Sequence, residues 1–237
     1  MMRLDVLLVE KGLAESREKA QALIMAGEVL ISGQKARKSG QPVAEDSRLE
    51  VLARPAYVGR GGIKLAAAVV HFGIAVEGKI GLDVGSSTGG FTDCLLQCGA
   101  QRVHAVDVGE GQLDWKLRND PRVIVHEGIN ARYLQFGDIG EHVDLLVCDV
   151  SFISVTLILP AIVPFVKSEM AILVKPQFEV GKGHVGKGGI VRDPELHRSA
   201  CERVKDAVRR FGFTTSLMES PITGAEGNKE FLLYARH

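Results

Sequence analysis

Near the middle of the chain the sequence reads Leu82-Asp83-Val84-Gly85-Ser86-Ser87-Thr88-Gly89-Gly90-Phe91-Thr92. The apolar residues before Gly85 predict a buried strand, and the glycines that follow predict a turn that opens a helix. In an open α/β sheet, ligands bind beyond the carboxyl ends of the strands, and glycines there let the backbone approach the ligand closely. This stretch therefore predicts an α/β fold with a nucleotide-cofactor site at the turn.

The spacing of the glycines indicates which cofactor is bound. Dinucleotide-binding turns follow the pattern G-x-G-x-x-G, which brings a pyrophosphate onto a helix N-terminus. Here the glycines stand at Gly85, Gly89 and Gly90, and Asp83 lies just before them. S-adenosylmethionine has no phosphate and carries cationic sulfonium and amino groups, which suit an acidic strand end and a looser glycine turn. We interpret the stretch as a methyltransferase motif.

Strand-like apolar runs alternate with helical patterns beyond residue 63, which is typical of a parallel sheet covered on both faces. The runs span residues 80–84, 103–108, 123–127, 143–149, 170–174 and 231–235. Asp107 in the second run has the spacing of an acid that binds ribose hydroxyls. The fourth run ends at Asp149, and Lys175 follows the fifth. If Lys64 and Glu230 reach the same crevice, two amines and two carboxylates share one pocket, as at many functional sites; otherwise Lys175 simply extends to solvent.

The first 52 residues have a different pattern. A short helix begins near Leu4 and stops at Gly12, and a second begins after Ser16 and ends at Gly27. A strand and tight turn over 29–34 and a strand over 49–52 follow. The basic residues left outside are Arg3, Arg17, Lys19, Lys35, Arg37 and Lys38. Composition alone leaves open whether they bind RNA or are only solvated.

Length and composition predict one large and one small domain. The chain has 237 residues, 46% of them hydrophobic. Residues 53–62 contain Pro55, Gly59, Gly61 and Gly62, so we predict a linker that runs into a helix near Ile63. The predicted domains are therefore residues 1–52 and 63–237.

Charge and cysteine content narrow the class of protein. The 29 basic and 29 acidic residues balance, so a nucleic-acid footprint has to be local. No C-x-x-C pair is present, so we expect free thiols in a reducing cytoplasm and no metal site. Asp5 and Glu10 interrupt the first apolar stretch, and the apolar segment 152–166 is too short to span a bilayer. We expect a cytoplasmic protein without a membrane segment.

A glycine-rich segment over residues 181–189 follows the fifth strand and predicts a mobile lid or substrate loop. Lys182 and Lys187 within it, with His184 and nearby Arg192, could contact phosphates. A plain flexible connection fits the same composition.

Several ordered motifs carry a resemblance to a known family. They are Arg3-Leu4-Asp5, Arg60-Gly61-Gly62-Ile63-Lys64-Leu65, the run from Asp83 to Cys94, Asp107-Val108-Gly109, Asp149-Val150-Ser151-Phe152-Ile153-Ser154, Lys175-Pro176-Gln177-Phe178-Glu179, the run from Val185 to Gly189, and Glu226-Gly227-Asn228-Lys229-Glu230-Phe231. Through them the chain resembles, essentially end to end, the hemolysin A (TlyA) family of ribosomal RNA ribose 2′-O-methyltransferases. The resemblance implies a small α-L RNA-binding domain followed by a Rossmann-like, FtsJ-like domain that uses S-adenosylmethionine.

The resemblance also implies roles for individual residues. The catalytic tetrad of 2′-O-methyltransferases falls on Lys64, Asp149, Lys175 and Glu230, and Lys175 is the residue expected to accept or steer the ribose proton. Cofactor contacts are expected from Asp83, Gly85, Ser86, Ser87, Gly89, Gly90, Phe91, Asp107, Val108 and Asn130. RNA contacts are expected from the six basic residues of the first domain and from Lys182 and Lys187. The implied substrate is a cytidine of ribosomal RNA.

Three rival hypotheses remain. Methylation of a base amine is disfavoured because Val150 and Ser151 stand where such enzymes carry a proline-proline-aromatic run after the acid. A non-catalytic RNA-binding or ribosome-assembly factor would keep the cofactor pocket without turnover. A membrane-active hemolysin, suggested by the family's name, is disfavoured because the sequence has no transmembrane run and no strongly basic amphipathic helix.

Overall fold

The computed structural model describes residues 1–52, 55–224 and 226–237. The chain divides into two compact units, Met1–Pro55 and Ala56–His237. Each unit has its own buried apolar cluster.

The first unit combines two short helices with short strands. Its elements are β1 (Met2–Arg3), α1 (Leu4–Glu10), α2 (Arg17–Met25), β2 (Val29–Ile31), β3 (Gln34–Lys35), β4 (Pro42–Val43) and β5 (Leu49–Val51). Strand β2 pairs antiparallel with β3 and β5, and β1 pairs antiparallel with β4. Ser16 caps α2, because its Oγ accepts a hydrogen bond from the Lys19 amide at 3.3 Å. The predicted helix pair and the strands at 29–31 and 49–51 are confirmed.

The second unit is a sheet with helices on both faces. Its elements are α3 (Arg60–Phe72), β6 (Ile80–Val84), α4 (Gly90–Gln97), β7 (Arg102–Val106), α5 (Trp115–Arg118), β8 (Val123–His126), α6 (Phe136–Ile139), β9 (Val143–Cys148), α7 (Leu159–Ile162), β10 (Val166–Val174), α8 (Pro176–Glu179), α9 (Pro194–Arg209), β11 (Thr214–Glu219) and β12 (Phe231–Arg236). Two buried clusters, one on each face, cover the sheet.

The strand order in the described residues is β11-β12-β10-β9-β6-β7-β8. Five neighbouring strands, β10 to β8 in this order, are parallel, as predicted. The last run is not parallel: β12 lies antiparallel between β10 and β11. Strand β11 was not predicted, because its sequence Thr214-Thr215-Ser216-Leu217-Met218-Glu219 is largely polar, as suits a partly exposed edge strand.

The helix before the sheet begins at Arg60, three residues earlier than predicted. The glycines around it serve close packing, not linker flexibility: a Cβ on Gly62 would lie 2.2 Å from the Tyr57 ring. Residues 56–58 are also fixed to α4, because Asp93 accepts from the Val58 amide at 2.9 Å and Gln97 donates to the Ala56 carbonyl at 2.9 Å. In the predicted linker 53–62, residues 53 and 54 lie outside the described part of the chain.

The order in which the parallel strands are added to the sheet reverses between β6 and β9. From β6 the sheet continues through β7 to β8, and from β9 it continues through β10 in the opposite direction. In open α/β sheets, this switch point is where ligands bind. In the part of the chain that the structure describes, no helix has the length and apolar character needed to cross a membrane.

Candidate active site

A cavity of about 450 Å³ opens at the switch point, beyond the carboxyl ends of β6, β7 and β9. Its lining residues come from the loops after these strands and from the segment after β8. They are Gly85, Ser87, Val106, Asp107, Val108, Gln112, Ile129, Asn130, Ala131, Asp149, Val150, Ser151, Phe152, Ile153 and Ile158. We call this space the loop cavity.

Gly85 is required at the base of the loop cavity. Its φ of +84° lies in the left-handed region that disfavours side chains. A Cβ at this position would also stand 2.5 Å from the backbone carbonyl oxygen of Asp149. The glycine therefore allows the turn after β6 to pass against the end of β9.

Asp107 has the position expected of a ribose-binding carboxylate. It follows β7, and its two carboxylate oxygens accept hydrogen bonds from the amides of Ser87 and Gly109, each at 2.7 Å. A carboxylate offers about four acceptor sites. Asp107 therefore joins the glycine turn to its own loop. Its carboxylate oxygens can still accept further hydrogen bonds from a molecule in the cavity, which Asp107 lines.

Asp83 is fully buried beneath the turn and does not line the loop cavity. Thr92 donates a hydrogen bond to its Oδ2 at 2.7 Å, whereas Oδ1 has no hydrogen-bond partner among the described residues. Burial raises the pKa of Asp83 to about 7. A buried carboxyl group whose Oδ1 has no partner among the described residues can interact with a cation that binds nearby.

The structure divides the predicted cofactor residues into two groups. Those that line the loop cavity are Gly85, Ser87, Asp107, Val108 and Asn130; those that lie beneath it or begin α4 are Asp83, Ser86, Gly89, Gly90 and Phe91. The sequence did not indicate Gln112 as a wall residue. Its signal was weak, because it lies in a loop without periodicity.

A second cavity, of about 430 Å³, adjoins the first, and Ser151 and Phe152 line both. Its other lining residues are Lys64, Lys175, Gln177, Phe178, Val185, Gly189, Gly224, Glu226, Asn228 and Glu230. We call it the tetrad cavity, because three of the four predicted catalytic residues lie on its wall. The fourth, Asp149, lines the loop cavity beside it.

The predicted tetrad forms two ion pairs. Lys64 Nζ lies 2.5 Å from Glu230 Oε2, and both side chains are buried. Lys175 Nζ lies 2.5 Å from Asp149 Oδ1 and also donates a hydrogen bond to Ser151 Oγ at 2.8 Å. The structure therefore brings together one residue of α3, the residue just before β12 and the residues that follow β9 and β10.

The loops that carry Asp149 and Lys175 are joined at a further point. Glu179, buried at the end of α8, accepts hydrogen bonds from Ser154 Oγ at 2.5 Å and from the Val155 amide at 2.8 Å. Burial raises the pKa of Glu179. Because Glu179 lies four residues after Lys175 and Ser154 lies five after Asp149, this contact fixes one loop against the other.

The glycine-rich segment after α8 is held to the rest of the site. Asn228, itself buried, donates to the Gly189 carbonyl at 2.9 Å and accepts from the Val191 amide at 2.9 Å. Short 3₁₀ turns cover Lys182–His184 and Lys187–Gly189. Val185 and Gly189 of this segment line the tetrad cavity, so the segment forms part of its wall.

The six basic residues of the first unit that were predicted to bind RNA are exposed, but they differ in their partners. Arg3 and Arg17 are tied to the buried Asp5 carboxylate at 2.9 and 3.2 Å, and the hydrogen bond from Arg3 holds the pKa of Asp5 well below its usual range. Among the described residues, no carboxylate forms an ion pair with Lys19, Lys35, Arg37 or Lys38. In the second unit Lys187 is exposed, and the Lys182 side chain lies outside the described part of the chain.

Comparisons with known proteins place the two units in known families. A model of FtsJ-like methyltransferases matches residues 57–237, and a model of the S4 domain matches residues 2–49. The chain is similar to the 16S/23S rRNA (cytidine-2′-O)-methyltransferase TlyA of Mycobacterium tuberculosis, with 48% identity over 239 residues that cover 99% of this chain and 89% of the relative.

Two further relatives share nearly the full length. Hemolysin A of Brachyspira hyodysenteriae is 44% identical over 237 residues, covering 98% of this chain and 99% of the relative. A solved structure from Streptococcus thermophilus that carries the name hemolysin superposes with a TM-score of 0.75 at 42% identity, covering 99% of this chain and 87% of the other.

Proposed function

The chain belongs to the FtsJ-like methyltransferase family and carries an S4 domain ahead of its catalytic domain, and on this premise we propose that it methylates the 2′-hydroxyl of a cytidine ribose in ribosomal RNA, with S-adenosylmethionine as the donor. The two family matches confirm the resemblance stated from the sequence, and with the seven-stranded sheet they confirm the predicted α/β fold class. The observation that carries the proposal is the Lys175–Asp149 pair at the junction of the two cavities.

The loop cavity fits S-adenosylmethionine. Gly85 leaves room for close backbone approach, and the Asp107 carboxylate at the end of β7 is placed to accept bonds from ribose hydroxyls. The free, buried Oδ1 of Asp83 supplies an acidic environment beneath the turn for a cationic ligand. When bound, the cofactor supplies an electrophilic methyl group.

Lys175 is the residue proposed to accept the proton. A ribose hydroxyl is a poor nucleophile, so it has to lose its proton as its oxygen takes the methyl group. In its neutral form Lys175 accepts that proton at Nζ, and the Asp149 carboxylate beside it stabilises the ammonium that results. Aligning the hydroxyl with the methyl group contributes the rest of the acceleration.

Lys64 and Glu230 have a supporting role in the same cavity. The buried Glu230 carboxylate holds the Lys64 ammonium on the cavity wall. A positive charge there stabilises the negative charge that develops on the hydroxyl oxygen. Glu230 compensates the cost of burying the Lys64 charge.

The first unit is proposed to position the RNA. The exposed side chains of Lys19, Lys35, Arg37 and Lys38 can neutralise phosphates, which fixes orientation without reading sequence. Arg3 and Arg17 extend this surface, with their orientation set by Asp5.

The position of the methyl group tests the proposed function. Ribosomal RNA is incubated with the protein and labelled S-adenosylmethionine, digested to nucleosides and analysed by mass spectrometry. The expected product is cytidine methylated on ribose. A methyl group on the base would identify a different acceptor, RNA binding without turnover would identify an assembly factor, and vesicle leakage caused by a Lys175→Ala variant would revive the membrane-active hypothesis.

A further inference from the structure

Ser151 occupies the junction between the two cavities. Like Phe152, it lines both of them, and its Oγ accepts a hydrogen bond from Lys175 Nζ at 2.8 Å. The reaction proposed above gives no role to the Ser151 hydroxyl. The contact places a small polar group beside the proposed proton acceptor.

The two contacts of Lys175 differ in kind. Asp149 Oδ1 lies 2.5 Å from Nζ, but the pair is not aligned as a hydrogen bond, so the carboxylate attracts the amine without fixing its rotation. The bond to Ser151 meets the angular requirements of a hydrogen bond. Within the described residues, Ser151 therefore provides the directional contact to this nitrogen.

A neutral lysine nitrogen has two N–H bonds and one lone pair beside its bond to Cε. Ser151 accepts one N–H, and the Asp149 carboxylate attracts the other. The remaining direction belongs to the lone pair, which is the only part of the nitrogen that can accept a proton. We infer that Ser151 is a positioning residue that turns the lone pair of Lys175 toward the substrate hydroxyl, an inference that rests on the proposed function.

The loop that carries Ser151 is held firmly enough for this task. At one end the Asp149 amide donates to the Val84 carbonyl at 2.9 Å, and at the other end Ser154 and Val155 donate to Glu179. Between these points Phe152 has a φ of +67°, a conformation that few non-glycine residues adopt and that persists where the surroundings determine it. The loop therefore presents the Ser151 hydroxyl at a defined place relative to Lys175.

Three variants test the inference. Ser151→Ala removes the acceptor, Ser151→Thr keeps a hydroxyl, and Ser168→Ala is the matched control, because Ser168 on β10 also loses one hydroxyl hydrogen bond, to the Asp144 carbonyl. The readouts are the single-turnover rate of methyl transfer, the half-saturating concentrations of RNA and cofactor, and cofactor affinity by calorimetry, which also reports folding.

We expect Ser151→Ala to lower the single-turnover rate about tenfold to a hundredfold, with half-saturating concentrations nearly unchanged. Ser151→Thr should recover most of the rate, and Ser168→Ala should match the wild type. Combined with Lys175→Ala, the Ser151→Ala change should add nothing, because Ser151 acts through Lys175.

Other outcomes would overturn the inference. A normal rate for Ser151→Ala, a change confined to the half-saturating RNA concentration, or a further loss in the double variant would each remove the positioning role. Failure of the proposed function is separate, because it would appear as the absence of ribose methylation by the wild-type protein.

Discussion

The backbone carbonyl oxygen of Asp149 stands 2.5 Å from the point where a Cβ on Gly85 would lie. The first residue belongs to the proposed catalytic pair and the second to the turn of the loop cavity. The end of β9 and the turn after β6 are therefore in direct backbone contact. The cofactor turn and the partner of Lys175 cannot be displaced independently.

The Gly85→Ala variant should lose both cofactor affinity and activity. The added methyl group would meet the Asp149 carbonyl, and the positive φ would add strain. Calorimetry with S-adenosylmethionine measures the affinity, and Gly137→Ala is the control, since nothing lies within 4 Å of a Cβ there. Unchanged affinity in Gly85→Ala would show that this close approach is not needed.

The Asp107→Ala variant should bind S-adenosylmethionine about tenfold to a hundredfold more weakly, because hydrogen bonds to a charged group contribute roughly 1.5–3 kcal/mol. Calorimetry measures this directly. Asp120→Ala is a suitable control, because Asp120 pairs with Arg122 outside the cavity. Wild-type affinity in a folded Asp107→Ala protein would exclude Asp107 from the cofactor site.

Asp83 should make the free protein less stable as pH rises from about 4 to about 7. Burial raises its pKa from 3.8 to about 7, so in this range the folded state holds a proton that the unfolded state has released. Asp83→Asn stays neutral, and its free energy of unfolding relative to wild type should increase between pH 4 and pH 8. Denaturant unfolding at both pH values measures this; an equal difference at both would contradict the buried, raised acid.

The exposed lysines of the first unit should govern the salt dependence of RNA binding. Replacing Lys19, Lys35 and Lys38 by glutamine should weaken binding and lower the slope of log affinity against log salt by about 0.7–0.9 for each phosphate that is no longer neutralised. Lys167→Gln is the control, because Lys167 pairs with Asp144 in the second unit. An unchanged slope would remove these lysines from the RNA interface.

Part of this site could be predicted, because the end of a buried strand can be recognised in the sequence as the end of an apolar run. Asp107, Asp149 and Lys175 each lie at or just after a buried apolar run, and the ends of parallel strands meet at one edge of a sheet. The direction of β12 could not be predicted in this way, since an apolar run looks the same in parallel and antiparallel pairs. Strand β11 was not predicted, because an edge strand is partly exposed to solvent and its sequence is therefore largely polar instead of an apolar run.

Hydrogen bonds between distant loops left no local signal. Asn228 forms hydrogen bonds with Val191 and Gly189, which lie 37 and 39 positions before it in the sequence. Glu179 accepts a hydrogen bond from Ser154, which lies 25 positions before it. Glycine content alone could not decide between a mobile lid or substrate loop and a plain flexible connection over 181–189, because composition reports which conformations a backbone can adopt and not which contacts fix it. The role of Ser151 likewise depends on geometry, since its motif gives only its proximity to Asp149.

The most direct test is the single-turnover rate of ribose methylation, measured for wild type and for Lys175→Ala at saturating RNA and cofactor. Lys175→Ala should bind cofactor normally yet react about a hundredfold to ten-thousandfold more slowly, without rescue by more RNA. Near-normal turnover by Lys175→Ala would contradict the assignment of Lys175 as the proton acceptor.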